Sequence, residues 1–444
     1  MEKKVLFTAS TASHIRNFHL PYLRAFCEHG WTVHVACGGP EAGIPDAHEV
    51  KILPFRKKML AAENLQAART LRRMMEEEQY DLISTHTSLA AFFTRVAVKG
   101  MKKRPPVACM VHGYLFDEET PWLKQAVLLT AEKWMASVTD LLFTMNEWDY
   151  ALAKKHRLGT RVVSVPGVGV DFSRLDACPE LTREVLRNQL NIPEDAVVML
   201  YPAEFSERKS QAVLIRAMAC LPGRAVLVLA GDGEHLEDCK ALAKGLGVAD
   251  RVRFPGHVSP IGPWYRMADI AVSASRSEGL PFNIMEAMYS GLPVVASGVK
   301  GHTDLLQRSG AGLLYPYGDE ELCAEAIQML MGSEDMREHL GAAGRREVVQ
   351  YSLDQALPGI MELYEELALE DKAKPVAREV VGSDVREARV SSIVTGKNGQ
   401  LKSCIVPTLT QGSITTAPLH CGLLPDDGVR YGEPEGSFHL GAGR

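Results

Sequence analysis

The chain has 444 residues, of which 46% are hydrophobic and 23% are charged, so it can bury full cores and is not broadly disordered. Its length exceeds one ordinary domain and predicts two domains with an appendage. The net charge of −6 argues against a general nucleic-acid binder, although residues 1–170 carry 22 Lys and Arg against 17 Asp and Glu. That basic first part can hold an anionic surface or an anionic acceptor, or its charges can simply be solvated.

The sequence contains neither a membrane-spanning run nor a cysteine motif for metal binding. No stretch of about 18 uncharged apolar residues occurs. The short apolar run after Lys3 and Lys4 is typical of a first strand rather than of a signal peptide. The nine cysteines are scattered, without a Cys-x-x-Cys pair or a Cys/His cluster at zinc spacing. We therefore expect a protein of the reduced cytosol without a structural metal.

Strand-like apolar runs alternate with helical patterns along most of the chain. The predicted strands are residues 5–8, 32–37, 82–85, 107–111, 141–145, 162–165, 197–201, 225–230, 252–254, 270–275, 293–297 and 313–315. The helical patterns between them include residues 18–28, 65–79, 211–220 and 236–246. This alternation predicts an α/β protein with parallel sheets flanked by helices. Twelve strands are too many for one comfortable sheet, so we expect two.

Composition also predicts where the domains end. The turn-rich segment 165–171 separates a first domain, residues 1–170, from a second, residues 171–350. Apolar residues at helical spacing predict helices within 351–369, which we expect to pack back on the first domain. From residue 372 to 444 the periodicity fades into Ser, Thr, Gly, Pro and charge, which predicts a disordered tail of unknown function.

The most informative motif is Ser-Glu-Gly-Leu-Pro-Phe-Asn-Ile-Met-Glu at residues 277–286. It follows one predicted strand, opens a helix and leads to the next strand, so its turn lies at the carboxyl end of a strand, where open α/β sheets bind ligands. The helix start leaves backbone N–H groups that favour a phosphate. Glu278 in the turn and Glu286 roughly two helical turns further on can reach one nucleotide-sized ligand. Two glutamates at this spacing are common, and the surrounding strand-turn-helix pattern makes them informative.

This motif resembles that of the family-4 retaining glycosyltransferases of the GT-B fold, in the bacterial branch that builds exopolysaccharide and capsule. Further matching motifs lie at residues 14–23, 30–35, 85–87, 111–113, 146–150 and 167–171. The resemblance covers residues 4–368 and none of the tail. It implies two Rossmann-like domains that face each other across a cleft.

The resemblance also implies a nucleoside-diphosphate sugar in the cleft, held mainly by the second domain. Glu286 would accept hydrogen bonds from ribose hydroxyls, and Glu278 would contact hydroxyls of the donor sugar. The alternatives are that Glu286 is a solvated helix residue and Glu278 a helix cap. The turn would approach the diphosphate through the backbone of Gly279, Leu280, Pro281, Phe282 and Asn283.

Cations for the diphosphate are expected in residues 203–210. In the resembling family this segment has an Arg near its start and a Lys near its end. Lys209 matches the family's Lys and is the predicted phosphate ligand, and Arg208 is a weaker candidate. The alternative is that Lys209 is an ordinary surface lysine without a ligand. Glu204 stands where the early Arg is expected, which leaves the second cation unassigned. Near Val258 the nucleotide base would contact main-chain groups. The resembling branch generally uses UDP-sugars, so we favour uridine as the nucleoside.

Histidines of the first domain are further candidates. By resemblance, His112 lies near the donor sugar and donates a hydrogen bond to it or positions it, whereas a satisfied core histidine is the alternative. His14 follows the first strand and would line the acceptor cleft. His19 is expected to be structural, and His86 stays open between a functional and a structural role. Residues 300–304 are expected to form a further loop that edges the donor pocket.

The resemblance implies transfer of a sugar from a UDP-sugar to a hydroxyl of a lipid-linked saccharide, with retention of anomeric configuration, in cell-surface polysaccharide synthesis. His112, Glu278 and Lys209 would be the catalytic residues. No Asp-x-Asp motif follows a predicted strand, so we expect no metal and no cofactor. The alternatives are a nucleotide-sugar 2-epimerase of the same fold and a non-catalytic scaffold that binds sugar nucleotides.

The expected acceptor is a polyprenyl-diphosphate-linked saccharide bound on the first domain. Basic clusters at residues 56–58 and 99–104 and an amphipathic stretch at 121–135 can hold an anionic bilayer. An ordinary surface with a core helix explains these features equally well. The interpretation as a bilayer-binding surface predicts a cytoplasmic protein, peripheral at the inner face of the plasma membrane, with no nucleic-acid partner.

Overall fold

The computed structural model describes residues 3–40, 43–117 and 120–369, together with the backbone of two short antiparallel strands, Val394–Thr395 and Leu401–Lys402. The rest of the predicted tail, 372–444, lies outside the described residues.

The first sheet contains seven parallel strands in the order β3-β2-β1-β4-β5-β6-β7. These strands are β1 (Lys3–Ala9), β2 (Trp31–Cys37), β3 (Glu49–Ile52), β4 (Leu82–His86), β5 (Val107–Met110), β6 (Leu141–Thr144) and β7 (Arg161–Ser164). Six of them confirm the predicted strands of the first half. The prediction missed β3, a four-residue edge strand whose residues are all partly or fully exposed.

The second sheet contains six parallel strands in the order β10-β9-β8-β11-β12-β13. They are β8 (Val197–Pro202), β9 (Ala225–Ala230), β10 (Val252–Gly256), β11 (Ile270–Ser273), β12 (Val294–Ser297) and β13 (Gly312–Tyr315). All six were predicted. In β9 all six residues are buried, as a parallel strand covered by helices on both faces requires.

Helices cover both sheets. In the first part they are α1 (Ala12–Phe18), α2 (Leu20–Glu28), α3 (Ala62–Glu78), α4 (Ser88–Val98), α5 (Trp122–Met135) and α6 (Glu147–His156). In the second part they are α7 (Arg183–Gln189), α8 (Gln211–Cys220), α9 (Leu236–Gly245), α10 (Gly262–Met267), α11 (Phe282–Tyr289), α12 (Lys300–Ser309), α13 (Glu320–Gly332), α14 (Glu334–Glu347) and α15 (Leu353–Leu369). Within the described ranges, no helix is both long and apolar enough to cross a membrane.

The last helix returns to the first sheet. Ile360 and Tyr364 of α15 are buried in the apolar core beside β1 and β2. The hydroxyl of Tyr364 lies 2.7 Å from that of Ser84 in β4. The second domain is therefore bracketed in sequence by segments that pack on the first.

The loops that follow the parallel strands position the candidate site. In the first sheet, β4 ends at His86 and β5 ends just before Val111 and His112. In the second sheet, Lys209 follows β8 and Glu278 follows β11, and these two strands are neighbours. The carboxyl ends of adjacent parallel strands share one edge of a sheet, which brings residues distant in sequence together.

Candidate active site

Glu278 lies in the turn between β11 and α11 and is only 8% exposed. The ammonium group of Lys209 donates a hydrogen bond of 2.6 Å to its Oε1, and the guanidinium of Arg208 lies 3.0 Å from the same oxygen. Burial raises the pKa of the carboxyl, but the charges of Lys209 and Arg208 outweigh burial and lower it to about 2. Glu278 is therefore a carboxylate at neutral pH.

Hydrogen bonds hold the two cations in the loop after β8. The Tyr201 hydroxyl donates to the carbonyl of Lys209 at 3.1 Å and lies 2.8 Å from the hydroxyl of Ser275. The backbone N–H of Arg276 donates to the carbonyl of Arg208 at 2.8 Å. Glu204, where the family's early Arg was expected, is exposed. Arg208 therefore stands beside Lys209 as a second cation of this loop.

Glu286 is buried on α11, 6% exposed, and each of its oxygens has a protein partner. Oε1 accepts a hydrogen bond from the guanidinium of Arg174, and Oε2 accepts one of 2.9 Å from the hydroxyl of Tyr265. Burial raises the pKa of Glu286, and Arg174 and Tyr265 oppose that rise only in part. Neither Arg174 nor Tyr265 lies in a sequence motif, so neither could be predicted as a partner of Glu286.

The glycine of the turn permits a close approach between the two domains. A Cβ on Gly279 would lie 2.0 Å from the carbonyl oxygen of His112, so only glycine fits there. Gly113, at φ +113°, faces it with a conformation that favours glycine. The side-chain amide of Asn146 also donates to the carbonyl of Gly279 at 3.2 Å.

The remaining turn residues join the domains by apolar packing. Leu280 and Phe282 contact the cores of both the first and the second domain. The ring of Phe282 meets that of Phe18 edge to face, with 5.0 Å between centroids. Pro281 is buried and occupies the N-cap position of α11. These side chains position the turn, and the predicted approach of its backbone to a diphosphate stays a prediction.

The two other predicted contact residues lie at the edge of this region. The Asn283 carbonyl oxygen lies 3.0 Å from the Tyr265 hydroxyl oxygen, where it is a second acceptor beside Glu286 Oε2 for the one hydroxyl proton. Val258 follows β10 and packs at the margin of the apolar cluster that Leu280 and Phe282 also contact. Their roles toward a nucleotide stay predictions.

Four histidines meet on the first-domain side of the turn. His112 Nε2 lies 3.3 Å from His14 Nε2 and 3.5 Å from His86 Nδ1, and His14 Nε2 lies 3.3 Å from His19 Nε2. Burial lowers the pKa of all four, for His14 to about 4. The roles predicted for His112 at the donor sugar and for His14 in the acceptor cleft stay predictions. His86, which was left open, and His19, expected to be structural, belong to the same cluster.

One predicted loop proves to be a helix. Residues 300–304 were read as a loop at the donor pocket, but they form the first turn of α12. A Cβ on Gly301 would lie 2.6 Å from the carbonyl oxygen of Gly279, so this helix start is packed tightly against the turn.

Chemically, the second domain offers a carboxylate beside two cations at the start of a helix. Such a set can accept hydrogen bonds from hydroxyl groups and neutralise an anion at one place. The backbone of the first domain closes over it at His112 and Gly113. The arrangement fits a ligand that is both rich in hydroxyls and anionic.

Two family models match the chain and together span most of both domains. The model described as Glycosyltransferase Family 4 matches residues 22–174, and the model described as Glycosyl transferases group 1 matches residues 182–347.

Individual proteins extend this match. EpsD of Bacillus subtilis (strain 168), which is named as a glycosyltransferase, is 31% identical over 369 residues, covering 82% of this chain and 97% of EpsD. The alpha-monoglucosyldiacylglycerol synthase of Streptococcus pneumoniae (strain ATCC BAA-255 / R6) is 30% identical over 272 residues, 59% of this chain and 56% of that protein. The solved structure of Anabaena HepE with UDP-glucose superposes with a TM-score of 0.66 at 20% identity, covering 82% of this chain and 99% of HepE.

The predicted architecture is confirmed by the two parallel sheets with their helices and by the superposition on HepE. The similarity to EpsD runs through both domains and includes nearly all of that protein. The chain therefore belongs to the family-4 glycosyltransferases of the GT-B fold.

Proposed function

We propose that this glycosyltransferase moves a sugar from a UDP-sugar to a hydroxyl of a lipid-linked saccharide, with retention of anomeric configuration, in the synthesis of a cell-surface polysaccharide. The acceptor is a polyprenyl-diphosphate-linked saccharide, and the enzyme works at the cytoplasmic face of the plasma membrane. The transfer uses no metal at the diphosphate.

The observation that carries this proposal is the ion cluster of Glu278, Lys209 and Arg208 beneath the backbone of His112 and Gly113. An ionised Glu278 can accept hydrogen bonds from two neighbouring sugar hydroxyls and so orient the anomeric carbon. Lys209 and Arg208 supply positive charge where the departing diphosphate gains negative charge. His112 would contact the sugar from the opposite wall of the cleft.

A uridine nucleotide as donor is supported by HepE, whose structure holds UDP-glucose and has the same fold. In our proposal the ribose hydroxyls reach Glu286, and the nucleotide displaces or joins Arg174 there. The backbone at the start of α11 would face the diphosphate through its free N–H groups.

A lipid acceptor is supported by one relative and by one helix. The pneumococcal relative is named as a synthase of a diacylglycerol glycoside. Helix α5 exposes an apolar strip that begins at Trp122, which is 78% exposed. The strip continues through Leu123, Val127 and Trp134, each more than half exposed. Aromatic and aliphatic side chains on a helix with lysines are typical of a membrane-surface contact.

The donor and the reaction can be tested together. The full chain is incubated with labelled UDP-sugars and, in parallel, GDP-sugars, with and without a polyprenyl-diphosphate-linked saccharide. UDP release that depends on the acceptor, and a product whose anomeric configuration by NMR matches the donor, support the proposal. Acceptor-free conversion of the sugar nucleotide would instead identify an epimerase, and binding without turnover a scaffold.

The membrane contact needs its own test. Sedimentation with anionic phospholipid vesicles should retain the wild-type chain, and Trp122→Ser with Trp134→Ser should release most of it. Val349→Ser is the matched control, because Val349 is a comparably exposed apolar residue, 53%, outside α5. Retention that is equal for all three proteins would contradict the membrane contact.

A further inference from the structure

The histidine cluster comprises His14, His19, His86 and His112, which reach one place from three segments of the first domain. His14 lies on α1 and His19 directly follows that helix. His86 ends β4, and His112 follows the neighbouring strand β5. One ring nitrogen from each residue lies within 4.8 Å of those from the other three.

The spacing within the cluster is that of a metal coordination sphere. Ligand nitrogens about 2.0–2.1 Å from a tetrahedral Zn²⁺ are about 3.3–3.4 Å from one another. The contacts from His14 to His112 and to His19 are each 3.3 Å, and that from His112 to His86 is 3.5 Å. Three of the six nitrogen–nitrogen distances in the cluster therefore match those between the ligands of a tetrahedral ion.

We propose that His14, His19, His86 and His112 bind one transition-metal dication of the Zn²⁺ class. The inference shares His112 with the proposed glycosyl transfer, in which that residue contacts the donor sugar. No step of the transfer passes through the ion, and the test below measures metal binding rather than turnover.

The ligand chemistry selects this class of ion. An all-imidazole set suits Zn²⁺, Co²⁺, Ni²⁺ or Cu²⁺, whereas Ca²⁺ and Mg²⁺ require oxygen ligands. An imidazole binds such an ion through the lone pair of its unprotonated ring nitrogen, and each of the four side chains offers one ring nitrogen to the cluster. Hydrogen bonds between neutral imidazoles are the competing explanation of the short contacts.

A second layer of polar groups fixes His86 for this task. The Ser84 hydroxyl lies 2.9 Å from His86 Nε2, and the Tyr364 hydroxyl lies 2.7 Å from that of Ser84. When His86 Nε2–H donates to Ser84, its Nδ1 keeps the lone pair that faces His112. Metal-binding histidines are commonly oriented by such a partner on the other ring nitrogen.

The cluster also has an entrance. His19 and His86 are buried, whereas His14 and His112 are only partly buried. An ion can therefore reach the cluster past His14 and His112. Once bound, it would tie α1 to the carboxyl ends of β4 and β5 and stabilise that wall of the cleft.

The experiment uses the full chain without a polyhistidine tag, freed of metal by EDTA and gel filtration. Titration with Co²⁺ should produce the strong visible absorption of a tetrahedral complex at one equivalent, and Zn²⁺ should abolish it by displacement. Both ions should raise the midpoint of thermal unfolding, since they bind the native state. Mg²⁺ at the same concentration should do neither.

Variants locate the site. His14→Ala and His112→Ala should each weaken Co²⁺ binding by about tenfold or more. Both residues are partly buried, so neither change should prevent folding, and circular dichroism without metal checks this. His34→Ala is the matched control, because it removes a buried imidazole outside the cluster and should leave Co²⁺ affinity unchanged. Absence of the tetrahedral spectrum in the wild type, or unchanged affinity in both cluster variants, would overturn the proposal.

Discussion

Lys209 carries a positive charge into a nearly buried position, 13% exposed, where its closest anion is Glu278. In water the charge of a lysine is screened, but in such a place it acts strongly on any anion that approaches. In the proposed reaction the ammonium group would serve two partners in turn, the Glu278 carboxylate before the donor binds and the diphosphate during transfer.

Lys209→Met should lower kcat by about 100-fold or more, because in the proposed reaction the charge of Lys209 stabilises the departing diphosphate. Acceptor-dependent UDP release measures the effect. Lys240→Met, at an exposed lysine of the same domain that pairs with Glu237, should leave kcat unchanged. A kcat for Lys209→Met within twofold of wild type would remove Lys209 from the catalytic set.

Glu278 makes the stability of the protein depend on pH. Its folded-state pKa of about 2 lies below the ordinary value of 4.5, so the ionised carboxylate stabilises the folded state above pH 4.5, and that stabilisation is lost as the pH falls toward 2. Glu278→Gln replaces the carboxylate with an amide, which does not bind a proton in this pH range. The stability advantage of wild type over this variant should shrink by about 2 kcal/mol between pH 6 and pH 3.

Urea unfolding of both proteins at several pH values in this range measures that difference, and the other carboxyl groups cancel because both proteins contain them. Curves that stay parallel from pH 6 to pH 3 would show that Glu278 has an ordinary pKa in the folded state.

At the level of elements, the turn before α11 depends on backbone proximity. Gly279→Ala would place a Cβ 2.0 Å from the His112 carbonyl oxygen, so the turn and the loop after β5 must separate. We expect transfer to fall by more than tenfold and the free energy of unfolding to fall by about 1–3 kcal/mol. Gly332→Ala, at the end of α13 with no atom within 4 Å of the new Cβ, is the control. Activity of Gly279→Ala equal to that of the control would contradict this account.

The sheets could be predicted from the sequence because their strands are continuous apolar runs. Strands such as β9 are buried on both faces, and their composition shows it directly. The missed strand β3 is different, since Glu49 to Ile52 lie at the edge of the first sheet and keep a half-exposed pattern. The first turn of α12 was missed because a Lys-Gly pair opens it, which is typical of a loop.

The candidate site could be predicted only where a local motif describes it. Glu278 and Lys209 follow strands and were expected to lie near each other, and they form an ion pair. Arg174 and Tyr265 reach Glu286 from segments with no pattern of their own. Only the three-dimensional arrangement of such separate segments brings these side chains together.

At the scale of the whole molecule, a buried ion pair joins a helix of the second domain to a helix of the first. Lys300 at the start of α12 lies 2.8 Å from Asp149 in α6, with side chains 7% and 0% exposed. The same ammonium group donates to the Tyr114 carbonyl at 3.1 Å and lies 4.8 Å from the centre of the Trp148 ring. These contacts bind the second domain to the wall of the cleft that carries His112.

Lys300→Met should open the molecule, because it leaves the buried Asp149 without its cation, a loss that typically costs about 3–5 kcal/mol. Part of that cost disappears when the domains separate and water reaches the carboxylate. We therefore expect a larger radius of gyration by small-angle X-ray scattering than for wild type, and a lower kcat/KM for the donor. Lys300→Met with Asp149→Leu removes both charges, and should lose less stability than the sum of the two single changes.

Lys244→Met, at an exposed lysine of α9, provides the matched control and should leave the scattering curve unchanged. Superimposable curves for Lys300→Met and wild type would show that the ion pair does not hold the domains together. In that case closure would rest on the apolar contacts of Leu280 and Phe282, which reach the cores of both domains and are untouched by these substitutions.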